Sequence, residues 1–239
     1  MISEKSTKMS ERRSGILLHI TSLPGSEGIG TFGENAFQFI DFLAETGQKI
    51  WQILPLGPVG YGNSPYQCYS AFAGNIFLID LKKLLDENLL DREDLKNTPR
   101  FLKSKVDFAN VEQWKMQLLR RAFEKFQANN YGSFHSEYQD FLKEHNWWLQ
   151  DFALFMAAKE HFKGEHWTSW PEELKYRTPV GIHKYQANLS EEINFWKGDF
   201  GINYLVPKNN NQIRRGLKCL NRSLQHRKLK RKKCLLNPS

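Results

Sequence analysis

Two short apolar runs with one amphipathic segment between them constrain this chain more than any other feature. SGILLHI at Ser14–Ile20 and KIWQIL at Lys49–Leu54 each have the length and composition of a buried strand. Between them, Glu34–Thr46 (ENAFQFIDFLAET) places Phe37, Ile40, Phe42, Leu43 and Ala44 largely on one helical face, and Gly47 stops the helix. Strand, loop, helix and strand in so short a span make a βαβ unit, whose two strands run parallel. Ligands of α/β folds bind at the carboxyl ends of parallel strands. Two loops emerge at that end here, Thr21–Gly33 and Leu54–Asp80.

The second loop has a distinct chemistry. Leu56–Asn75 contains four glycines, two prolines, three tyrosines, Asn63, and the polar side chains Ser64, Gln67 and Ser70. No carboxylate occurs between Thr46 and Ile79. Glycine lets a backbone approach a ligand closely, and the side chains offer flat faces and neutral hydrogen-bonding groups. A neutral polyhydroxylated ligand such as a sugar suits this set better than a phosphate or a metal. Gly/Pro-rich loops are also common as plain connections, so composition alone leaves both readings open.

The wording of the loop is more specific. GYGNSPYQ followed by SAFAGN resembles the signature of the 4-α-glucanotransferases (amylomaltase or disproportionating enzyme, glycoside hydrolase family 77). Gly15–Gly33 (GILLHITSLPGSEGIGTFG), Trp148–Phe162 (WLQDFALFMAAKEHF) and His166–Arg177 (HWTSWPEELKYR) are similar to further blocks of that family, in the same order. Cys68 and Ile76 depart from it, standing where a small hydroxyl residue and a proline are usual. The resemblance implies an α/β fold of the TIM (β/α)8 type with helical insertions. It also implies transfer of α-1,4-glucan segments between maltooligosaccharides through a covalent glycosyl-enzyme, without a metal or organic cofactor. By the same resemblance Ser64 and Tyr66 face the cleft near the scissile sugar, and Tyr61 matches a tyrosine of an outer glucan-binding site. His19, at the end of the first strand, is a further candidate substrate-binding residue; a strand-end histidine is otherwise usually a structural hydrogen bonder.

No catalytic residue is assigned. Retaining transglycosylation needs two carboxyl groups about 5–5.5 Å apart, and the family supplies its carboxylates from later barrel strands. Glu27, Glu34, Asp41, Glu45 and Asp80 form no convincing pair at a strand end. His161 and His166 have no third ligand nearby in sequence, so no metal is expected.

After Leu81 the pattern becomes helical. Trp114, Leu118, Ala122 and Phe126 share helical spacing, with Asn110 a candidate N-cap. Phe134–Leu142 and Trp148–Lys159 read as two more helices, and Leu189–Trp196 as a fourth. The expected organisation is a disordered N-terminus at 1–13, the first βαβ unit of a barrel at 14–80, a helical insertion at 81–197, and a basic tail at 198–239. A barrel needs eight strands, so two strands cannot close it. An inactive, poorly soluble product with an exposed edge on the second strand is therefore expected.

The tail carries the charge. The formal net charge is +8, but residues 198–239 hold 11 of the 34 Lys and Arg residues and a single acid, Asp199. The first 197 residues hold 23 basic and 25 acidic residues, so basicity is no property of the folded body. A frame shift or altered splice accounts for the loss of pattern after Lys197; a genuine basic extension is the alternative. The KLKRKK cluster admits nucleic-acid or anion binding, or a nuclear address. The segment has few aromatics to stack on bases, which argues against nucleic acid as a partner. A third reading is a helical interaction protein using the aromatic-rich Asn110–Trp170 region, although core packing explains that spacing first. Three scattered cysteines form no framework, and no run reaches membrane-spanning length, so a cytoplasmic protein without a membrane partner is expected. Oligomeric state is left open.

Overall fold

The structure, a computed structural model, describes residues 12–208. Most of the N-terminal segment, Cys219, Cys234 and the KLKRKK cluster lie outside the described residues, and with them the charged-tail readings.

The βαβ unit forms as its pattern dictates. Strands β1 (Gly15–Leu17) and β2 (Ile50–Gln52) pair in parallel, with Gly15 opposite Ile50 and Leu17 opposite Gln52. Both are shorter than their apolar runs. The intervening helix α1 (Glu34–Glu45) buries Ala36 and Leu43, and sets Phe39 edge-on against Trp51 of β2 at 4.9 Å. Phe42, expected on the packed face, is instead exposed. The buried stripe runs through positions 36, 39, 40 and 43, the 3–4 spacing of one helical face. A two-stranded parallel sheet and a mostly helical remainder are thus the observed architecture; no closed barrel is present among the described residues.

The remainder begins with the short helix α2 (Leu81–Asp86), capped by the Asp80 carboxylate, which accepts from Lys83 N. Helix α3 (Phe108–Ala128) starts one turn earlier than its apolar pattern, because Asp107 rather than Asn110 caps it. Helix α4 (His135–His161) is one continuous element where two were expected. Neither Gly nor Pro lies between Leu142 and Trp148, so nothing breaks it. The short helices α5 (Glu172–Lys175) and α6 (Pro179–Asn188) lead into α7 (Ser190–Lys208).

Helix α7 runs through the expected boundary at 197/198. Phe200, Ile202 and Leu205 are buried, and Asp199 has no exposed surface at all. Gly198 lies against the Phe123 ring and Gly201 against Tyr138, so close that a Cβ at either position would collide with the ring. Glycine in a helix interior costs about 1 kcal/mol relative to alanine. Here it lets α7 press directly onto α3 and α4. The start of the segment read as tail therefore belongs to the helical packing, through Gly198, Asp199, Phe200, Gly201, Ile202 and Leu205.

These helices share one large core. Phe126 is its hub, with ring contacts to Tyr131 (5.1 Å), Tyr138 (5.4 Å) and Phe134 (6.4 Å). The strand unit has a smaller cluster of its own, Ile20, Leu23, Ala36 and Leu78.

Candidate functional site

Both loops that follow the parallel strands reach the same place. β1 runs into the 3-10 turn Ile20–Ser22, with His19 at its N-cap. β2 runs into Leu54–Gly57 and then into a hairpin rather than an irregular connection. Tyr69 N donates to Pro58 O (2.9 Å), Gly60 N donates to Gln67 O (3.1 Å), and Val59 bridges Cys68 in antiparallel fashion. The tip is a 3-10 turn at Tyr61–Asn63, in which Gly62 has φ 76° and Asn63 φ 53°, a left-handed pair that suits these two residues. The Cys68 thiol donates to Pro65 O at 2.8 Å, so it fills the donor role of the hydroxyl usual at that position. The departure at Ile76 is absorbed by burial in the core.

Between these segments lies a cleft of about 190 Å³. His19, Thr21 and Ser22 form one wall; Leu54–Gly57, Val59, Asn63 and Pro65 form the second; Asn75, Leu78 and Phe108 close it. No carboxylate is among these residues. The polar groups are hydroxyls, amides and one imidazole. Burial lowers the His19 pKa, so the ring is neutral at pH 7, and its Nδ1 is buried with no hydrogen-bond partner among the described residues. A neutral imidazole can donate from one nitrogen and accept at the other, which suits a hydroxyl-bearing ligand. Asn75 Oδ1 accepts from Phe77 N (3.0 Å), and Asn75 N donates to Leu56 O (2.7 Å), so this side of the wall is held by backbone bonds.

The residues selected from sequence fall differently around this cleft. His19 lines it. Ser64 and Tyr66 flank Pro65, which lines it, but contribute no wall themselves. Ser64 Oγ accepts a long bond from Tyr66 N (3.4 Å), and the Tyr66 side chain is 74% exposed. The side chain of Tyr61 lies outside what the structure describes. Sequence reasoning did not select Thr21, Ser22, Asn63, Asn75 or Phe108. The first four carried a usable signal as neutral polar groups in the two strand-end loops. Phe108 carried none, because only the packing of α3 brings it there.

A larger cavity of about 330 Å³ lies between α3 and α7. Its wall carries Glu124, Glu191 and Glu192 against a single cation, Arg120, and none of the sequence-selected residues reaches it. The neutral cleft at the strand ends is the better place for an uncharged polyol. Among the described residues no group of three or more His, Cys, Asp or Glu side chains is placed to hold a metal.

The parallel strand pair, its connecting helix and the helical remainder place the protein in the α/β class. The family model for 4-alpha-glucanotransferase, glycoside hydrolase 77, matches residues 18–200. The chain belongs to that family. It is 44% identical over 185 residues to the 4-alpha-glucanotransferase of Synechocystis sp., and 47% identical over 186 residues to that of Aquifex aeolicus. Each alignment covers 77% of this chain but only 37% and 36%, respectively, of the relative. Among solved structures, the amylomaltase from Streptococcus agalactiae in complex with acarbose superposes with a TM-score of 0.78 at 37% identity, covering 86% of this chain and 42% of that one. The chain thus spans little more than a third of the length of the curated relatives it matches.

Proposed function

We propose that this chain forms the first two strands and the helical layer of an amylomaltase-type (β/α)8 barrel, and that its strand-end cleft binds α-1,4-glucan. The observation that carries the reading is the cleft itself: neutral hydroxyl, amide and imidazole groups at the carboxyl ends of two parallel strands, in a member of this family. His19 offers a neutral donor and acceptor to a sugar hydroxyl. Ser64 and Tyr66 border the opening, where the exposed Tyr66 ring is free to stack on a pyranose face. Tyr61 is assigned to an outer glucan-binding site by the family resemblance alone. The relatives' names and the acarbose complex support a maltooligosaccharide partner. A cytoplasmic location goes with the scattered cysteines; no described helix is long and apolar enough to cross a membrane.

Turnover is a separate matter. A retaining transfer needs a carboxylate nucleophile and a carboxyl acid/base facing one bond. The cleft is lined by neither. In this reading the described residues supply glucan binding to a 4-alpha-glucanotransferase, and the carboxyl pair that the transfer needs is not among the residues lining this cleft. Incubating the purified protein with maltotriose should release no glucose, and measurable release would overturn this half of the reading. The binding half is tested on an amylose column: wild-type protein is retarded, and Tyr61→Ala with Tyr66→Ala elutes early. Equal retention of both proteins refutes the assigned role of the tyrosines.

A further inference from the structure

The cleft wall is made of pieces that the two-stranded sheet does not itself hold together. The turn after β1 and the turn Ile76–Leu78 are joined instead by polar chemistry behind the wall. Its centre is Lys115 on α3, whose side chain is completely buried. The Lys115 ammonium pairs with Glu27 Oε2 at 2.5 Å and donates to Phe77 O at 2.8 Å. Glu27 belongs to the loop after β1, and its other oxygen accepts from Leu81 N at 3.0 Å. Two further bonds run in parallel: Phe32 N donates to Leu78 O (2.9 Å), and Thr31 Oγ1 donates to Asp80 Oδ2 (2.8 Å). The Asp80 carboxylate also attracts the ammonium, and Asp199 does so once it is ionised.

A buried ion pair is poor at stabilising a fold; an apolar pair of similar shape usually does as well or better. An apolar side chain cannot, however, hold two oxygens from two different segments at fixed positions. One of those oxygens is the Phe77 carbonyl, in the turn between Asn75 and Leu78 of the cleft wall. The other is on the loop that begins at Thr21 and Ser22 of the facing wall. We propose that Lys115 is a positioning residue for the cleft: its bonds to Glu27 and to the Phe77 carbonyl set the spacing between the loop after β1 and the Asn75–Leu78 turn. Its effect on sugar affinity rests on the glucan reading above.

The test uses the full chain with both partners neutralised, Lys115→Met with Glu27→Gln, so that neither member of the pair is left charged without the other, and it is run below pH 7, where Asp199 holds its proton. Two quantities are read: hydrogen exchange of the Phe32 and Leu81 amides against the amides of α4, and affinity for maltoheptaose by calorimetry. The expected result is an unchanged melting transition and unchanged protection in α4. Exchange at Phe32 and Leu81 accelerates at least tenfold, and affinity falls about tenfold, or 1.4 kcal/mol. Wild-type exchange at both amides in the folded double variant overturns the proposal. If the double variant does not fold, Glu27→Asp keeps both charges and draws the carboxylate back by one methylene. Faster exchange at Phe32 without loss of α4 protection then supports positioning, and wild-type exchange overturns it. Failure of the wild-type chain to bind maltoheptaose would sink the glucan reading alone, because exchange still decides the role of Lys115.

Discussion

In the helical layer, Leu119, Phe126, Leu149 and Leu154 are sealed from solvent; in the strand unit, Leu17 of β1 is 56% exposed and Ile50 and Ile53 are about 40% exposed. The two regions lie in one chain, and the elements of the strand unit are no less apolar than the helices. They differ in how many faces find a partner. Register puts Gly15, Leu17, Ile50 and Gln52 on one face of the sheet and Ile16 and Trp51 on the other. Only the second face is covered, by Phe39 of α1. The helices by contrast pack on one another through interlocking rings and through Gly198 and Gly201. The lesson is that the cleft sits on the weaker region and borrows its rigidity from the stronger one, through Asn75, Phe108 and the Lys115–Glu27 pair.

The contrast can be broken first at its strong end. Phe126→Ala removes the hub of the ring network and should cost about 3–5 kcal/mol, a large fraction of ordinary marginal stability, lowering the melting temperature by roughly 6–20 °C. Retention of a sharp transition within a few degrees of wild type would show that the ring network is not what holds the helices. Gly198→Leu drives a side chain into the Phe123 ring. It should cost about 1–3 kcal/mol or more by overpacking, read as a lower urea midpoint. An unchanged midpoint would mean that α7 is not seated on α3 beyond Lys197.

A further effect concerns pH. Asp199 is fully buried between the charges of Arg120 and Lys115, and neither of its oxygens has a hydrogen-bond partner among the described residues. Burial, opposed by those two cations, pushes its pKa up to about 7. The folded state therefore holds a proton that the unfolded state releases near its ordinary value of 3.8. This contribution is fully present below that value and is lost as pH rises through about 7. Melting temperature should fall between pH 5 and pH 8, and Asp199→Asn should flatten that slope. Parallel pH profiles for the two proteins would refute the assignment. At the weak end, Leu17→Thr with Ile50→Lys should change stability by no more than about 0.5 kcal/mol and should raise soluble yield, because it blunts an exposed strand pair. A large loss of stability would show that this face is packed after all.

How much of this was legible in the sequence depended on whether the signal was local. The βαβ unit, the parallel strands and the strand-end loops were readable, because short apolar runs and a helical face are short-range patterns. The single long α4 was misread as two helices, since a polar stretch such as Lys143–Asn146 looks like a break when only apolar positions are counted. The end of α7 was misread because the apolar pattern and the charge both change after Lys197; the helix continues, seated through Gly198 on Phe123 and through Gly201 on Tyr138. Lys115 stands at i+4 from Val111 and i−3 from Leu118, on the buried face of α3. That spacing was visible, and a lysine there could have been asked for its acid. The partner could not have been named, because Glu27 lies in a loop and only packing brings it to the ammonium. The hairpin at 57–70 was hidden by its glycines, which read as irregular chain.

The central claim is that the strand-end cleft, and not the charged cavity between α3 and α7, receives glucan. Titrating isotope-labelled protein with maltoheptaose and following backbone amide resonances tests it directly. The account predicts shifts confined to His19–Ser22, Asn63–Gln67 and Asn75–Leu78, while Arg120, Glu124 and Glu191–Phe195 stay still. Shifts at the second set, or none at the first under saturating sugar, would contradict it.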